Sequence, residues 1–458
     1  MKRVSLVIFG ALSMHVLASD ALLEAAYRDD LAAAKGRLAE GDEVDEANRH
    51  GVTALSLACR NGSAEMVRLL LDGGADANGK LDGGESCLMI AARTGNVSSV
   101  LALIGKGAKV NATERRGQTA LMWAAAEGHH RVVECLIAHG ADISISQNSG
   151  FNALLFAVRQ GHGEVVKQLL KAGADVNEVA RSKKRNGRMM RAGTAPLMLA
   201  VENGHFELAL ELVAAGADPN DQRSNYTPLH AITWVRKSVR GDGVNGVPPP
   251  DGSGSVTSLE FVRKLVEAGA EVNARLKNGR GNAEAMNTKG ATPFFMAAET
   301  CDLALMKLLV DLGADPTITN VDNTTPILMT CGIGVNAPGE EAGTEADAIE
   351  ALGYLLELGA DINAVDDNGE TVMHGAVYKA SPELMVLLDE RGADIKVWNT
   401  KNKYGRTPLT IARGHRRGNF RPIATMMDAV EALMTKHGVE YPPRNSSGPD
   451  MKKRGYGK

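Results

Sequence analysis

The sequence has few aromatic residues, which make up 4% of its 458 positions. The hydrophobic core must therefore be aliphatic, and few rings are available to stack the bases of single-stranded nucleic acid. The sequence also lacks an excess of charge of one sign, because 51 lysines and arginines balance 55 acidic residues to a formal net charge of −4. With so small a net charge, no global field attracts nucleic acid, and we expect no nucleic-acid partner.

Cysteine is also scarce, and its spacing follows no pairing pattern. The five cysteines are an odd number, and no CxxC occurs. Each lies in or beside an apolar helical stretch, where a thiol behaves as a small hydrophobic group. Neither a disulfide framework nor a zinc site is therefore expected. The cysteines are Cys59, Cys87, Cys135, Cys301 and Cys331.

Common catalytic motifs are absent as well. The sequence contains no Gly-x-Ser-x-Gly, no phosphate-binding loop and no HExxH. Its acidic pairs, such as Asp366 and Asp367, are adjacent in sequence, so their side chains point apart. We therefore predict no catalytic residues, no metal and no cofactor, and a function other than catalysis.

The first residues have the order of a secretory signal peptide. Lys2 and Arg3 precede an apolar run over 4–17, and Ala18 ends a small-residue cleavage site. The run is shorter than the roughly 20 residues that span a membrane. We expect removal of 1–18, export to the periplasm or the medium, a bacterial source and no membrane span in the mature chain. A retained anchor or a mitochondrial presequence is the alternative.

The rest of the sequence is periodic. A Gly-Ala-Asp tripeptide, or a close variant, recurs eleven times, and the first four intervals are each 33 residues. Insertions lengthen most later units. Repetition at this period is typical of solenoid proteins. The glycines are Gly41, Gly74, Gly107, Gly140, Gly173, Gly216, Gly269, Gly313, Gly359, Gly392 and Gly438.

Residues 117–142 illustrate one unit. Thr119 is placed to cap a first helix, and Gly128 ends it. Val132, Val133, Leu136 and Ile137 then recur at helical spacing in a second amphipathic helix. Gly140 suits its left-handed C-terminus. Since neither helix can bury its apolar face alone, neighbouring units must stack.

These residues resemble the ankyrin repeat. The similarity rests on TPLH at 227–230, GHGEVVKQLLKAGADVN at 161–177 and GADIN at 359–363. It covers about residues 19–440 and leaves 441–458 as an unfolded basic tail. It implies an all-α solenoid of about eleven helix-turn-helix units with β-turn fingers. It also implies a concave face, formed by fingers and first helices, that binds other proteins.

Histidines and asparagines recur at fixed places in this pattern. We predict that the histidines tie neighbouring turns by hydrogen bonds, with metal binding or acid–base chemistry as the alternative. The asparagines are predicted to form turns. The histidines are His129, His162, His205, His230 and His374, and the asparagines are Asn111, Asn177, Asn220, Asn273 and Asn363.

Insertions distinguish the chain from a regular array. Two follow the Gly-Ala-Asp turn, near 178–192 and 274–289, and three follow a first helix, near 235–258, 332–346 and 414–424. We expect 235–258 to be a flexible excursion.

The insertion near 178–192 is predicted to form a basic hairpin that steers an acidic partner surface, and a solvated loop is the alternative. A second basic finger is predicted near 274–289, carrying Arg275 and Lys277. The positive charges of the first finger are Arg181, Lys183, Lys184, Arg185, Arg188 and Arg191.

A row of apolar residues occupies the helix position just after the TPLH slot. We predict an exposed strip on the concave face, with Arg60, Arg93 and Arg159 beside it. The alternative is that these residues fill gaps between first helices. The row is Leu57, Ile90, Trp123, Phe156 and Leu199, continued by Met296, Met329 and Ile411.

Together these features predict a non-catalytic protein–protein interaction scaffold. The partner would be an unidentified protein with an acidic surface, bound by the apolar row and the basic fingers. Two alternatives stay open: an electrostatic binder of anionic polymer or lipid headgroups, and a regulatory or inhibitory subunit of an envelope enzyme. A shared scaffold does not decide among them.

Overall fold

A computed structural model describes residues 21–180, 192–238, 248–279, 286–335, 343–415 and 421–444. The predicted signal peptide at 1–18, the basic hairpin tip at 181–191 and residues 445–458 of the predicted tail lie outside these ranges. The prediction of an unfolded tail was wrong for 441–444, because Arg444 Nε donates to Glu431 Oε2 at 2.9 Å and the Pro442 carbonyl accepts from Arg413. The chain divides into two compact units. Unit 1 contains residues up to Ala231 together with Pro250–Gly269, and unit 2 contains Ile232–Pro249 and residues from Ala270 onward.

The described residues form helices joined by turns and loops, with two isolated β-bridges and no longer strand. In sequence order the helices make eleven pairs, and one additional short helix lies between the last two pairs. The predicted all-α ankyrin-type solenoid is confirmed. The helices are α1 Ala21–Arg28, α2 Leu31–Glu40, α3 Ala54–Asn61, α4 Ala64–Asp72, α5 Cys87–Thr94, α6 Val97–Gly105, α7 Ala120–Glu127, α8 His130–Ala138, α9 Ala153–Gln160, α10 Gly163–Lys171, α11 Pro196–Glu202, α12 Phe206–Ala214, α13 Pro228–Arg236, α14 Ser258–Glu267, α15 Pro293–Glu299, α16 Leu303–Asp311, α17 Pro326–Cys331, α18 Glu345–Glu357, α19 Val372–Lys379, α20 Pro382–Glu390, α21 Ile395–Trp398, α22 Pro408–Ala412 and α23 Ala424–Lys436.

The helix limits follow from local chemistry. The Thr119 side chain accepts a hydrogen bond from the Met122 amide at 3.3 Å and so caps α7. Gly128 ends that helix at φ 79°, a left-handed conformation that costs glycine little. Both limits agree with the sequence-based prediction.

Two layers of helices stack within each unit. In unit 1 the first helices contact one another in the order α1, α3, α5, α7, α9, α11, and the second helices α2, α4, α6, α8 and α10 do the same. In unit 2 the first layer is α15, α17, α19 and α22, and the second layer is α16, α18, α20 and α23. The core between the layers is largely aliphatic, with Met66, Leu103 and Leu136 fully buried. Each repeat therefore completes the core of its neighbour.

The finger asparagines connect one repeat to the next. The Asn111 Nδ2 donates to the Gly140 carbonyl at 2.9 Å, and its Oδ1 accepts from the Asp142 amide at 2.8 Å. This does more than the turn formation predicted from sequence, because the amide satisfies backbone groups 29 and 31 residues away. The Nδ2 group makes the equivalent bond to a glycine carbonyl from Asn78, Asn177, Asn220, Asn273 and Asn363.

The histidines that follow the mid-repeat glycines tie adjacent first helices, as predicted. The Nε2 atoms of His129, His162 and His205 lie 2.9, 3.1 and 3.0 Å from carbonyl oxygens of the preceding repeat. His230 and His374 each bond through Nδ1 to the threonine three residues earlier, and the Nε2 atom of His374 also lies 3.2 Å from the Arg406 carbonyl oxygen of the next finger, so it ties neighbouring turns as well. No group of three or more His, Cys, Asp or Glu side chains within the described ranges is arranged to hold a metal ion.

Part of the insertion predicted to be a flexible excursion is docked on unit 1. The Ser253 amide donates to His205 Nδ1 at 3.0 Å, and the Ser255 amide donates to Glu207 Oε2 at 3.1 Å. Gly252 lies so close to Gly204 that a β-carbon at 252 would come within 1.9 Å of its carbonyl oxygen. The prediction was wrong for this segment, because composition does not reveal that the His205 ring and the Glu207 carboxylate receive its amides.

All five cysteines are free thiols, and all but Cys135 are buried. Among the helices that the structure describes, none combines the length and the apolar character needed to cross a bilayer.

Candidate protein-interaction surface

The apolar row predicted to form an exposed strip is mostly buried. Leu57, Ile90, Phe156 and Leu199 are 1%, 4%, 6% and 5% exposed. The prediction of an open apolar strip was wrong, and the packing alternative holds for these residues. The physical reason is that first helices of successive repeats contact one another directly, so each row residue fills the gap to its neighbour. Met296, Met329 and Ile411 are buried in the same way.

Trp123 is the exception in the row, because its side chain is only half-buried. The Arg93 guanidinium of the preceding first helix lies over the indole, 5.1 Å from the ring centroid. The indole Nε1 has no hydrogen-bond partner among the described residues. The N–H itself is buried, so what this position offers to another molecule is the partly exposed ring and the cation above it.

A related contact lies in the repeat after that of Trp123, where the arginine covers rings of its own repeat rather than a ring of the next one. The exposed Arg159 guanidinium lies 5.2 Å from the Phe151 ring centroid and 5.4 Å from that of Phe156. The two rings pack against each other with centroids 5.1 Å apart. The prediction that arginines lie beside the row is therefore confirmed for Arg93 and Arg159. We call Arg93, Trp123, Phe151, Phe156 and Arg159 the arginine–aromatic row.

The surroundings of the arginine–aromatic row carry further positive charge. Arg60, at the same helix position as Arg93, is exposed. Among the finger residues of unit 1, Arg49, Arg115 and Arg116 are exposed. Arginine has a planar guanidinium that binds carboxylates in two-point contact. This face of unit 1 thus combines aromatic surface with a chemistry suited to acidic groups.

The first predicted basic finger is closed at its base. The Ala180 amide donates to the Thr194 carbonyl at 3.0 Å, and the Gly193 amide donates back to Ala180 at 3.3 Å. This pairing is that of a hairpin stem. The charged positions Arg181, Lys183, Lys184, Arg185 and Arg188 lie between the stem residues and outside the described residues.

The second predicted basic finger uses its arginine internally. Arg275 donates to the Gly290 carbonyl from Nε at 3.1 Å and to the Thr319 carbonyl from Nη2 at 2.8 Å. Leu276 pairs with Ala291 at the same level. Arg275 therefore holds the base of its finger, a role that a count of charges could not distinguish from partner binding.

Sequence reasoning missed a set of polar residues in unit 2. It considered Asp366 and Asp367 only as neighbours that point apart, and they do: Asp366 accepts from Thr324 Oγ1, and Asp367 accepts from Asn323 Nδ2. It overlooked Glu370, which is 6% exposed. One feature of the sequence could have directed attention to these residues of unit 2. Tyr378 occupies the first-helix position that holds Arg60, Arg93 and Arg159 in unit 1.

Comparison with protein-family models agrees with this architecture. A model described as "Ankyrin repeats (3 copies)" matches residues 22–114 and 88–180. One described as "Ankyrin repeats (many copies)" matches 345–388, and one described as "Ankyrin repeat" matches 192–225 and 289–321. Together these matches cover more than half of the sequence. The chain belongs to the ankyrin repeat family.

Curated relatives share parts of this ankyrin repeat array. The human transient receptor potential cation channel subfamily A member 1 is 32% identical over 176 residues, 32% of this chain and 15% of the relative. The probable 26S proteasome regulatory subunit p28 of Saccharomyces cerevisiae is 29% identical over 154 residues, 33% of this chain and 57% of the relative. The chain therefore spans less than two thirds of either relative.

Membership has a general consequence for function. Ankyrin repeats generally mediate protein–protein interaction, and proteins built from them are typically non-catalytic interaction modules. A stacked array achieves this with an extended surface to which each repeat contributes a few side chains.

Proposed function

We propose that this ankyrin-repeat chain is a non-catalytic scaffold that binds a protein partner through the arginine–aromatic row of unit 1. The observation that carries the proposal is the half-buried Trp123 under the Arg93 guanidinium, together with the related contact of Arg159 over Phe151 and Phe156. Tryptophan and arginine are the side chains most enriched among residues that dominate interface energetics. Phe151 and Phe156 are themselves only 6% exposed, so the binding energy would be concentrated at Trp123 and at the arginine side chains.

The proposed partner has an acidic surface. Arg115 and Arg116 are exposed in the finger that precedes the Trp123 helix, and the insertion near 178–192, predicted to form a basic hairpin, follows the repeat that contains Phe156 in the sequence. Opposite charges accelerate encounter, and this acceleration weakens as salt screens them. The finger would therefore contribute mainly to the association rate, and the aromatic row to the lifetime of the complex.

The repeat-to-repeat bonds support a preformed surface. His129 and His162 hold the first helices of the row to their neighbours, and Asn111 holds the fingers. A surface that is already ordered loses little conformational entropy when it binds.

The test uses the protein as an immobilised bait against extract of its own host. Trp123→Ala and Arg93→Ala should each lose a discrete protein that the wild-type chain retains. Leu101→Ala is the matched control, because Leu101 is an apolar residue, 46% exposed, on the second-helix layer. A client lost equally with Leu101→Ala would refute the assignment of the surface.

The same experiment separates the alternatives. Reversing Lys183, Lys184 and Arg185 to glutamate should slow association at low salt and leave dissociation unchanged. If every bait, including Trp123→Ala, retains the same acidic material and moderate salt removes it, the chain is an electrostatic binder of anionic polymer or lipid headgroups. A captured enzyme whose activity changes on binding would identify a regulatory subunit.

Export is a separate proposal, motivated by residues 1–20. Expression in a secreting bacterium should yield a mature chain that begins at Ser19, shown by intact mass. A full-length mass in the cytoplasmic fraction would contradict it.

A further inference from the structure

A small cleft of about 60 Å³ lies in unit 2 beside the finger that carries Met286 and Asn287, where the next three fingers meet the first helices. The finger before α17 contributes Asp322, and the finger before α19 contributes Asp366 and Glu370. The third finger contributes Tyr404 and Arg406, while Tyr378 comes from α19. Carboxylates from separate repeats thus converge on one concave site.

Glu370 is the unusual member of this cleft, because 94% of its surface is buried and one carboxylate oxygen is unsatisfied. Its Oε1 accepts hydrogen bonds from Asn402 Nδ2 at 2.8 Å and from the Tyr378 hydroxyl at 3.2 Å. Its Oε2 has no hydrogen-bond partner among the described residues. Leaving a buried acceptor unpaired is costly, so such an atom is expected to meet a donor in some functional state.

The other buried carboxylate is fully used by the fold. Asp366 Oδ1 accepts from the Asn368 and Glu370 amides, both at 2.9 Å, and its Oδ2 accepts from the Thr324 hydroxyl at 2.9 Å. Asp366 therefore shapes the finger and leaves its negative charge at the site. The unsatisfied acceptor capacity belongs to Glu370.

Charge and aromatic surface in the cleft indicate the kind of donor. Three carboxylates face one resident cation, Arg406, whose guanidinium lies 5.4 Å from the Tyr404 ring centroid. A second positive group would be attracted by the remaining charge and by the rings of Tyr378 and Tyr404. The volume suits the tip of a side chain rather than a larger ligand.

We propose that this cleft binds the cationic tip of a lysine or arginine side chain of a protein partner, with Glu370 as its acceptor. The inference rests on the proposed function only in naming a protein as the source of the cation. It assigns a second contact of opposite polarity to the arginine–aromatic row, which binds acidic groups.

The test titrates the full chain with N-acetyl-lysine methylamide and N-acetyl-arginine methylamide, followed by ligand-observed NMR and calorimetry. N-acetyl-norleucine methylamide is the uncharged control probe. At least one cationic probe should bind at millimolar concentration, and the norleucine probe should not. Because no partner is present, failure here would overturn the cleft and leave the proposal for unit 1 untouched.

Variants locate the binding. Glu370→Gln should weaken the cationic probe about tenfold, the value of a charge-assisted hydrogen bond, and Asp322→Asn about threefold. Glu357→Gln is the matched control, because Glu357 is an exposed acid of unit 2 outside the cleft. Glutamine keeps an oxygen for Asn402 and Tyr378, and circular dichroism checks that the fold is retained. Equal binding by Glu370→Gln and wild type would overturn the proposal.

The pH dependence of probe binding distinguishes a direct contact by Glu370 from a purely structural role of that residue. Burial, and then the Asp366 charge, raise the pKa of Glu370 to about 7. The other facing groups are Asp322, Tyr378 and Arg406, and burial lowers the pKa of the neighbouring His374 to about 4. Affinity for the cationic probe should therefore rise from pH 6 to pH 8 in wild type and stay flat in Glu370→Gln.

Two further probes define the ligand class. If n-butylammonium binds more tightly than the capped lysine, the site binds a free amine. The proposal that the cation belongs to a protein side chain would then be wrong. If acetate binds and both cationic probes do not, Arg406 dominates the cleft and the proposal is wrong.

Discussion

Replacing Glu370 with glutamine should stabilise unit 2 at alkaline pH. In the folded chain the carboxyl is buried, carries one unpaired oxygen and has a pKa of about 7. In the unfolded chain the pKa is near the ordinary glutamate value of 4.5. Its contribution to stability is fully present below the unfolded pKa and is lost as pH rises through 7, because the unfolded state then ionises more easily.

The size of the effect follows from the pKa difference. A gap of roughly 2.5 pKa units corresponds to about 3 kcal/mol, at 1.36 kcal/mol per unit. Glutamine keeps the acceptor for Asn402 and Tyr378 and cannot ionise. Glu370→Gln should therefore raise the free energy of unfolding by up to about 3 kcal/mol at pH 8 and have little effect near pH 4.

His374 makes the comparison with wild type informative. Its pKa is lowered to about 4 by burial, so its contribution is present above pH 6.5 and is lost as pH falls through 4. Between pH 4.5 and 6.5 the slopes from His374 and Glu370 have opposite signs and nearly equal sizes. Wild type should be almost flat there, while Glu370→Gln should become more stable as pH rises.

The assay is urea denaturation from pH 4.5 to 8, monitored by circular dichroism and by the fluorescence of Trp398, which is buried in unit 2. The control is Glu357→Gln, which should follow the wild-type curve. A Glu370→Gln curve parallel to wild type at every pH would refute the reasoning, because the buried carboxyl would then titrate as it does in the unfolded chain.

Three further predictions follow. Asn111→Ala should lower the free energy of unfolding by about 1–2 kcal/mol, since two repeat-to-repeat hydrogen bonds are lost. The control is Asn148→Ala at an exposed finger position, which should change the free energy of unfolding by less than about 0.5 kcal/mol. Arg236→Met should lower the free energy of unfolding, measured by urea denaturation, by about 3 kcal/mol. In the wild-type chain Arg236 Nε lies 2.7 Å from Oδ2 of the buried Asp302, and the substitution leaves that carboxylate without its ion-pair partner. A loss below about 1 kcal/mol would contradict this. Iodoacetamide should label Cys135 alone under native conditions, as mass spectrometry would show, since the other four thiols are at most 2% exposed; rapid labelling of any of those four would show that the core opens.

The sequence predicted those features that repeat and are local. Thr119 and Gly128 limit α7 because a hydroxyl cap and a left-handed glycine act within a few residues. The histidine ties of His129 and His162 were also predicted, because the same contact recurs wherever the repeat recurs. A pattern that appears many times in one chain provides its own evidence for the fold.

Features that depend on distances between repeats were predicted poorly. Whether Leu57 or Ile90 is exposed depends on how closely successive first helices approach, and the helical spacing of apolar residues does not encode that distance. Composition likewise failed at 251–255, since the amides of Ser253 and Ser255 are held by His205 and Glu207, nearly 50 residues earlier.

The sequence by itself determined the repeat, its helix pairs and the general role in protein–protein interaction, because each of these rests on short-range chemistry repeated down the chain. Only the tertiary structure decided which side chains remain available. It left Trp123 half-exposed under Arg93 while burying its equivalents, and it brought Asp322, Glu370 and Arg406 into one cleft. Stacking joins residues that are a whole repeat or more apart, and such proximity exists only once the array has formed.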